Sequence, residues 1–157
     1  VEQLEGYCPP LPDWNYFFWL GCSNKEYEKY RNQKEPKTVP YKAFGEEFPI
    51  QLKIDEYMGT GNLSIEMINW KYKYPSPWAV LTVDLDEVCE KDCSYVNTNH
   101  HGRKILSWII ENGLGEVTGE SKRIGYCTYE KVHFNPEKLK DYDSEGYQKY
   151  ETKFEEI

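Results

Sequence analysis

The chain has 157 residues, of which 39% are hydrophobic and 16% aromatic, so it has enough apolar material for one compact domain with a core, and this composition argues against long intrinsic disorder. Its formal net charge is −8, from 19 basic and 27 acidic residues, which argues against direct binding of nucleic acid through clustered lysine and arginine. No apolar run approaches the roughly 18 residues that a membrane-spanning helix needs, so no membrane contact is expected.

Residues 1–40 are predicted as an N-terminal aromatic and helical extension. A proline-rich loop over residues 8–12 precedes an aromatic run with no cation beside it, which favours a core or protein-interface patch over base stacking. Trp14 and Trp19 of this run are candidate anchors for a partner protein. A capping box, a serine followed three residues later by glutamate, predicts a helix over residues 23–33.

Residues 41–142 are predicted as the core domain, built on an antiparallel sheet of four or five strands. Apolar and polar residues alternate over 48–54, which predicts a half-buried strand, and a glycine-rich turn joins it in a hairpin to a second strand over 63–70. Residues 78–85 are rich in β-branched and aromatic types, and we place this third strand centrally in the sheet. A fourth strand is predicted over 126–134.

Two helices complete the prediction, and together with the strands they give an α+β fold. An apolar stripe over residues 103–112 predicts a helix on one face of the sheet, ended by Gly113. The glycines that follow, up to Gly125, are interpreted as helix termination and turn, because they do not open a helix as a phosphate loop would. Tyrosine and phenylalanine at helical spacing predict a C-terminal helix within residues 143–157.

A cluster of acidic residues at the end of the third strand is the candidate site. Residues 41–100 carry a net charge of −5, the largest share of any third of the chain. Such carboxylates can contact a basic surface of a partner protein, hold Mg²⁺ as in a metal-dependent nuclease, or form a solvated strand end. The members of the cluster are Asp84, Asp86, Glu87, Glu90 and Asp92.

The cysteines and histidines raise a second question, which is whether they bind a metal ion. Cys89, Cys93, His100 and His101 are ligand types that suit Zn²⁺, but the spacing lacks the two short ligand pairs typical of structural zinc, so they are interpreted as loop residues, with a zinc site as the alternative. Cys127 is interpreted as a small buried residue, because His133 on the same strand would lie roughly 20 Å away. No cofactor is expected, and five cysteines without a regular framework favour a reducing cytoplasm.

Five sequence blocks stand in an order that resembles a known family: Gly61–Ile65, Ala79–Leu85, Tyr95–Asn99, Ile110–Gly115 and Gly125–Tyr129. The chain resembles, over roughly residues 45–142, an uncharacterised small domain family encoded on phages, plasmids and conjugative elements of gut bacteria. It departs from that family at Asn97, where aspartate is usual, at the two adjacent histidines and in the inserted segment 89–93. The resemblance implies an accessory role in a mobile element, with some members antagonising host defences, and it supplies no catalytic residue.

Charge and resemblance together predict a binding protein and not an enzyme. We expect an acidic phage or mobile-element protein in the cytoplasm of a bacterial host, where it binds a host protein. Acidic surfaces can occupy a groove that otherwise holds nucleic-acid phosphates, so the expected partner is a nucleic-acid-binding defence effector and the expected activity resembles that of an anti-CRISPR inhibitor. The alternatives are a small metal-dependent nuclease and a zinc-stabilised binding module.

Overall fold

The structure, a computed structural model, describes residues 36–72 and 75–155. Within these ranges the chain forms two four-stranded antiparallel sheets and four helices, which confirms the predicted α+β class and divides the strands between two sheets. The helix predicted over residues 23–33 lies outside the described residues, as do Trp14 and Trp19.

The first sheet has the strand order β1-β2-β3-β4, in which each strand pairs with its neighbour in sequence. The side chains of β2 alternate between buried and exposed positions, so the hydrophobic face lies against the core. Leu52 lies opposite Met67 in the register of β2 and β3, which confirms the predicted hairpin. The strands are β1 (Val39–Ala43), β2 (Glu46–Glu56), β3 (Leu63–Asn69) and β4 (Ser76–Val80).

The chain passes from the first sheet to the second at Leu81. Strand β4 is an edge of the first sheet, and the next strand, β5 (Thr82–Val83), is an edge of the second, so the prediction of one central strand over residues 78–85 is wrong. Pro77 has no backbone donor and therefore suits an edge strand. The β-branched composition of the segment predicted its strand conformation, but it carries no information about position in a sheet.

The second sheet has the order β5-β6-β8-β7, with β6 (Cys93–Val96), β7 (Gly115–Ile124) and β8 (Cys127–Phe134). Strand β8 agrees with the predicted fourth strand. The prediction that the glycine-rich stretch is only a turn is wrong, since β7 occupies most of it and pairs with β8 around an irregularity between Val117 and Ser121. Most β7 side chains are exposed, which removes the alternation that marks a half-buried strand.

Four helices connect and cover the sheets: α1 (Thr98–His101), α2 (Lys104–Glu111), α3 (Pro136–Tyr142) and α4 (Ser144–Glu155). The predicted helix α2 buries Ile105, Leu106 and Ile109 of its apolar stripe, whereas Ile110 is exposed. Gly113 follows it at a φ of +68°, as expected for a left-handed terminator. Helix α3 begins where β8 ends, because the Asn135 side chain accepts a hydrogen bond from the Glu137 backbone at 3.0 Å.

One hydrophobic core joins both sheets and the longer helices. The buried side chains of β2 and β3 contact those of β8, α2 and α4, and the predicted C-terminal helix contributes Tyr147 and Tyr150. The C-terminal helix therefore packs into the same core as residues 41–142. In the part of the chain that the structure describes, none of the helices has the length and apolar character required to cross a membrane.

Candidate protein-binding surface

The candidate site is built on the connection between β5 and β6, residues 84–92, which we call the acidic loop. Its carboxylates do not share one environment. Asp86, Glu87 and Glu90 are exposed and Asp84 is half-buried, so four of the five predicted acids lie on one accessible segment. Their role in binding a partner stays a prediction.

Asp92, the fifth predicted acid, is a buried structural residue. Only 6% of its surface is exposed, and its carboxylate accepts a hydrogen bond of 2.6 Å from the Tyr147 hydroxyl. Its backbone N–H donates to the Tyr150 hydroxyl at 2.9 Å, and its carbonyl accepts from the Phe134 backbone. Asp92 therefore fixes the start of β6 against α4 and does not lie on the exposed contact surface predicted for it.

The turn between β2 and β3 holds the acidic loop in place. The buried Asn62 side chain donates to the Glu87 carbonyl at 2.7 Å and accepts from the Cys89 backbone at 2.8 Å. The Thr60 hydroxyl lies 3.1 Å and 3.2 Å from the two carboxylate oxygens of Asp84. Asp86 adopts a φ of +60°, a left-handed conformation that aspartate tolerates better than most residues. The acidic loop is thus tied to the β2–β3 turn at Asp84, Glu87 and Cys89.

Two lysines of the second sheet neutralise part of the loop. Lys131, whose side chain is 4% exposed, lies 3.2 Å from a carboxylate oxygen of both Glu90 and Glu120, and Lys122 lies 3.0 Å from Glu87. Burial lowers the pKa of Lys131, but its hydrogen bonds to the two carboxylates outweigh burial and raise that pKa above the ordinary value of 10.5. The ammonium group therefore stays charged.

The same contacts keep two of the acids ionised. The hydrogen bond from Lys122 holds the pKa of Glu87 below its ordinary value, and a bond from the Tyr95 hydroxyl at 3.2 Å adds to the effect. A backbone hydrogen bond and the bond from Lys131 likewise lower the pKa of Glu90. The loop is therefore negatively charged at neutral pH.

An open groove of about 410 Å³ lies between the β2–β3 turn, the acidic loop and the end of α4. Met58 and Val88 line it and are 96% and 73% exposed, and Phe154 also contributes to the wall. Lys153 bonds to the Gly61 carbonyl and closes one side. Large exposed apolar side chains beside a groove are typical of protein-binding surfaces, and the flexible thioether of methionine adapts to varied partners.

The cysteines and the histidine considered as zinc ligands make contacts in different parts of the structure. Cys89 and Cys93 are buried under the loop with Tyr95, and burial raises the pKa of both thiols, to about 11 for Cys93. The ring of His101 instead bonds to the Val80 carbonyl at 2.9 Å, and burial lowers its pKa. Among residues 36–72 and 75–155, no three or more His, Cys, Asp or Glu side chains are grouped so that they could hold a metal ion.

Cys127 is half-buried at the start of β8, and its thiol donates to the Asn99 side chain at 3.1 Å. His133 is six residues along the same strand, as the sequence predicts. The arrangement therefore provides no cysteine–histidine pair for catalysis between these two residues.

The sequence predicted the four accessible acids of the acidic loop, but it did not predict the apolar side chains that line the groove. Met58 and Val88 carry no periodic pattern, and their exposure depends on how the turn and the loop meet. For Asn62 the sequence does indicate a turn, since asparagine after glycine is typical of one. Its long-range bonds to the acidic loop depend on the tertiary fold.

The fold and the groove define a two-sheet α+β domain with an acidic, partly apolar surface. A family model described as a domain of unknown function, DUF4313, matches residues 51–154, which is more than half of the chain. The chain belongs to this family, and the match confirms the resemblance to an uncharacterised small domain family. No curated protein and no solved structure matches the chain.

Proposed function

We propose that this protein binds another protein through the acidic loop and the groove beside it, and that it does so without catalysis. The observation that carries the proposal is that two exposed apolar side chains, Met58 and Val88, line a groove beside the acidic loop, on which Asp86, Glu87 and Glu90 are exposed. Apolar contacts supply binding free energy when they are desolvated, while the charges select the partner and accelerate encounter.

The charge of the surface favours a basic partner. Five carboxylates, those of Asp84, Asp86, Glu87, Glu90 and Glu120, outnumber the two lysines that pair with some of them. Lysine and arginine side chains that bind nucleic-acid phosphates pair equally well with carboxylates. A protein that handles nucleic acid is therefore the class of partner that this surface fits, and its occupied groove would no longer hold DNA or RNA.

Within that class we propose a host-defence antagonist, such as an anti-CRISPR inhibitor, carried by a phage or another mobile element and acting in the bacterial cytoplasm. Two arguments support this finer proposal: the resemblance to a family encoded on mobile elements, and an acidic surface suited to displace nucleic acid. Trp14 and Trp19 stay predicted anchors outside the described residues, and Met58 and Val88 supply the apolar contact within them.

The test is capture of host proteins by the immobilised chain from nuclease-treated lysate, followed by purification of the captured protein and titration. The binding-site variant combines Asp84→Lys, Asp86→Lys and Glu87→Lys. A control with the same change in net charge combines Asp55→Lys, Glu66→Lys and Glu116→Lys, which alters exposed acids of β2, β3 and β7. Thermal melting verifies that both variants fold, because Glu87 also bonds to Lys122 and Tyr95.

We expect the wild-type chain and the control to bind a basic protein that handles nucleic acid, and the binding-site variant to lose at least about tenfold in affinity. Binding of the wild-type chain should weaken as salt screens the charges. A folded binding-site variant that binds as tightly as the wild type would contradict the assignment of the surface. A captured protein that still binds its nucleic acid at full strength would contradict the proposed antagonism.

A further inference from the structure

The turn between β1 and β2 presents an aromatic side chain under backbone strain. Phe44 and Gly45 have φ angles of +54° and +76°, so the turn needs two successive left-handed residues. Asparagine followed by glycine is the preferred pair for such a turn, and a bulky residue at the first position is unfavourable. Phe44 is nevertheless 88% exposed, and the part of the chain that the structure describes does not bury it in a way that would offset the strain.

An open groove of about 380 Å³ lies on the same edge of the molecule, between β1 and α2. Tyr41 and Trp108 line it, with ring centroids 5.1 Å apart in an edge-to-face arrangement. The indole N–H of Trp108 donates to the Pro40 carbonyl at 2.7 Å, which fixes the ring and satisfies a carbonyl of the edge strand. Tyr41 and Trp108 are only 7% and 8% exposed, so they form the floor of a preformed groove whose walls are mostly polar side chains.

The turn and the groove are adjacent. Lys42 and Glu47 are register partners on the rim of the groove, and the next pair, Ala43 with Glu46, closes the turn. Phe44 thus lies about two residue steps, roughly 7 Å, beyond the rim. A projecting aromatic side chain and a groove with an aromatic floor on one small patch are self-complementary, because a two-fold axis through the patch places each Phe44 over the groove of the other copy.

The charges of the rim are also self-complementary. Lys42 and Lys104 stand with Glu47 and Glu111 around the groove, so the patch is locally neutral in a chain of net charge −8. Repulsion between two acidic chains is therefore smallest where two such patches meet, and opposite charges can pair across the axis.

We propose that the protein forms a symmetric dimer in which Phe44 of each copy docks in the groove of the other, over the floor formed by Tyr41 and Trp108. This surface is independent of the acidic loop, because Phe44 precedes β2 and Met58 follows it. Strand β2 has eleven residues, so roughly 33 Å separates its ends and the dimer leaves both acidic surfaces accessible.

The test measures self-association of the full chain by sedimentation, from low to high micromolar concentration. Phe44→Asn removes the docking side chain and supplies the residue that the turn prefers, so this variant should fold at least as stably as the wild type. Ser107→Arg changes an exposed residue of α2 that lines the groove and places a long side chain in it. Met58→Asn is the matched control, an exposed apolar residue made polar at the other end of β2.

We expect the wild type and Met58→Asn to dimerise, and Phe44→Asn and Ser107→Arg each to weaken dimerisation by about tenfold or more. A mixture of the two impaired variants should recover part of the association, because the intact Phe44 of one can enter the intact groove of the other. A wild type that stays monomeric throughout overturns the proposal. So does a dimer that both variants leave unchanged, or a mixture that associates no better than its components.

Discussion

Asn62 shows how one buried side chain can position a loop that is distant in sequence. Its amide satisfies both the Glu87 carbonyl and the Cys89 N–H. We expect Asn62→Ala to lower the free energy of unfolding by about 1 to 3 kcal/mol, because the buried Cys89 N–H loses its acceptor and the part-buried Glu87 carbonyl loses its amide donor. Urea denaturation measures the loss, and hydrogen exchange should accelerate at the Cys89 amide.

Gln148→Ala is the matched control for this prediction, since Gln148 is an exposed residue of α4. Its stability should stay within about 0.5 kcal/mol of the wild type. An Asn62→Ala variant that unfolds at the wild-type urea concentration, with unchanged exchange at Cys89, would show that the loop is held by other contacts.

Cys93 predicts how stability depends on alkaline pH. Its pKa rises from 9.0 to about 11 on folding, so the unfolded chain loses the thiol proton at lower pH than the folded chain does. The stabilisation is therefore fully present below pH 9.0 and is lost as pH rises towards 11, by about 1 to 2 kcal/mol. Urea unfolding at a series of pH values measures this slope.

Cys93→Ala should flatten the decline between pH 9 and pH 11. Gln148→Ala changes an exposed residue of α4 and should keep the wild-type slope. Burial also raises the pKa values of Tyr147 and Tyr150 above 10.0, and these residues remain in both variants, so some loss of stability persists at the alkaline end. Equal slopes for Cys93→Ala and the wild type would contradict the assignment.

At the scale of single residues, the sequence predicted which side chains are acidic but not where each one points. Asp92 differs from its neighbours because its carboxylate contacts a tyrosine 55 residues later in the chain. Met58 and Val88 differ from ordinary apolar residues because the turn and the loop leave them exposed. Both outcomes depend on tertiary contacts that no local pattern encodes.

Helix α4 approaches strand β2 so closely that one of its positions requires glycine. A Cβ atom at Gly146 would lie 2.5 Å from the Ile54 carbonyl oxygen and closer still to the Asp143 carboxylate. Alanine in place of glycine usually stabilises a helix by about 1 kcal/mol. Here we expect Gly146→Ala to destabilise the protein by about 2 kcal/mol or more, because the helix must move away from the strand.

Thermal and urea denaturation of Gly146→Ala measure whether the substitution lowers the stability, as expected here, or raises it, as is usual in a helix. The exposed α4 position Gln148, changed to alanine, provides the comparison in the same helix. A Gly146→Ala variant more stable than the wild type would mean that the helix and strand can separate at little cost.

Elements with one buried face were the ones that the sequence predicted correctly. Strands β2 and β3 and helix α2 each show the period expected for a half-buried element. Strand β7 was missed because nearly all of its side chains are exposed, and β6 because all four of its residues are buried. Neither strand has the alternation of apolar and polar residues from which a half-buried strand is recognised in a sequence.

At the scale of the whole molecule, one core joins the two sheets. Leu52 and Ile65 of the first sheet belong to the same buried cluster as Val132 and Phe134 of the second. We therefore expect one cooperative unfolding transition, with coincident curves from tryptophan fluorescence and far-ultraviolet circular dichroism. Two separated transitions would show that the sheets unfold as independent units.

The position of α4 in the chain has a consequence during synthesis. The apolar face of β2 is completed by Tyr147 and Tyr150, which follow it by about ninety residues. At bacterial and eukaryotic rates of roughly 5 to 20 residues per second, a ribosome needs about 5 to 20 seconds to translate that interval. The apolar face of the nascent sheet stays uncovered for that time, so a ribosome that stalls before α4 leaves a polypeptide whose core lacks Tyr147 and Tyr150.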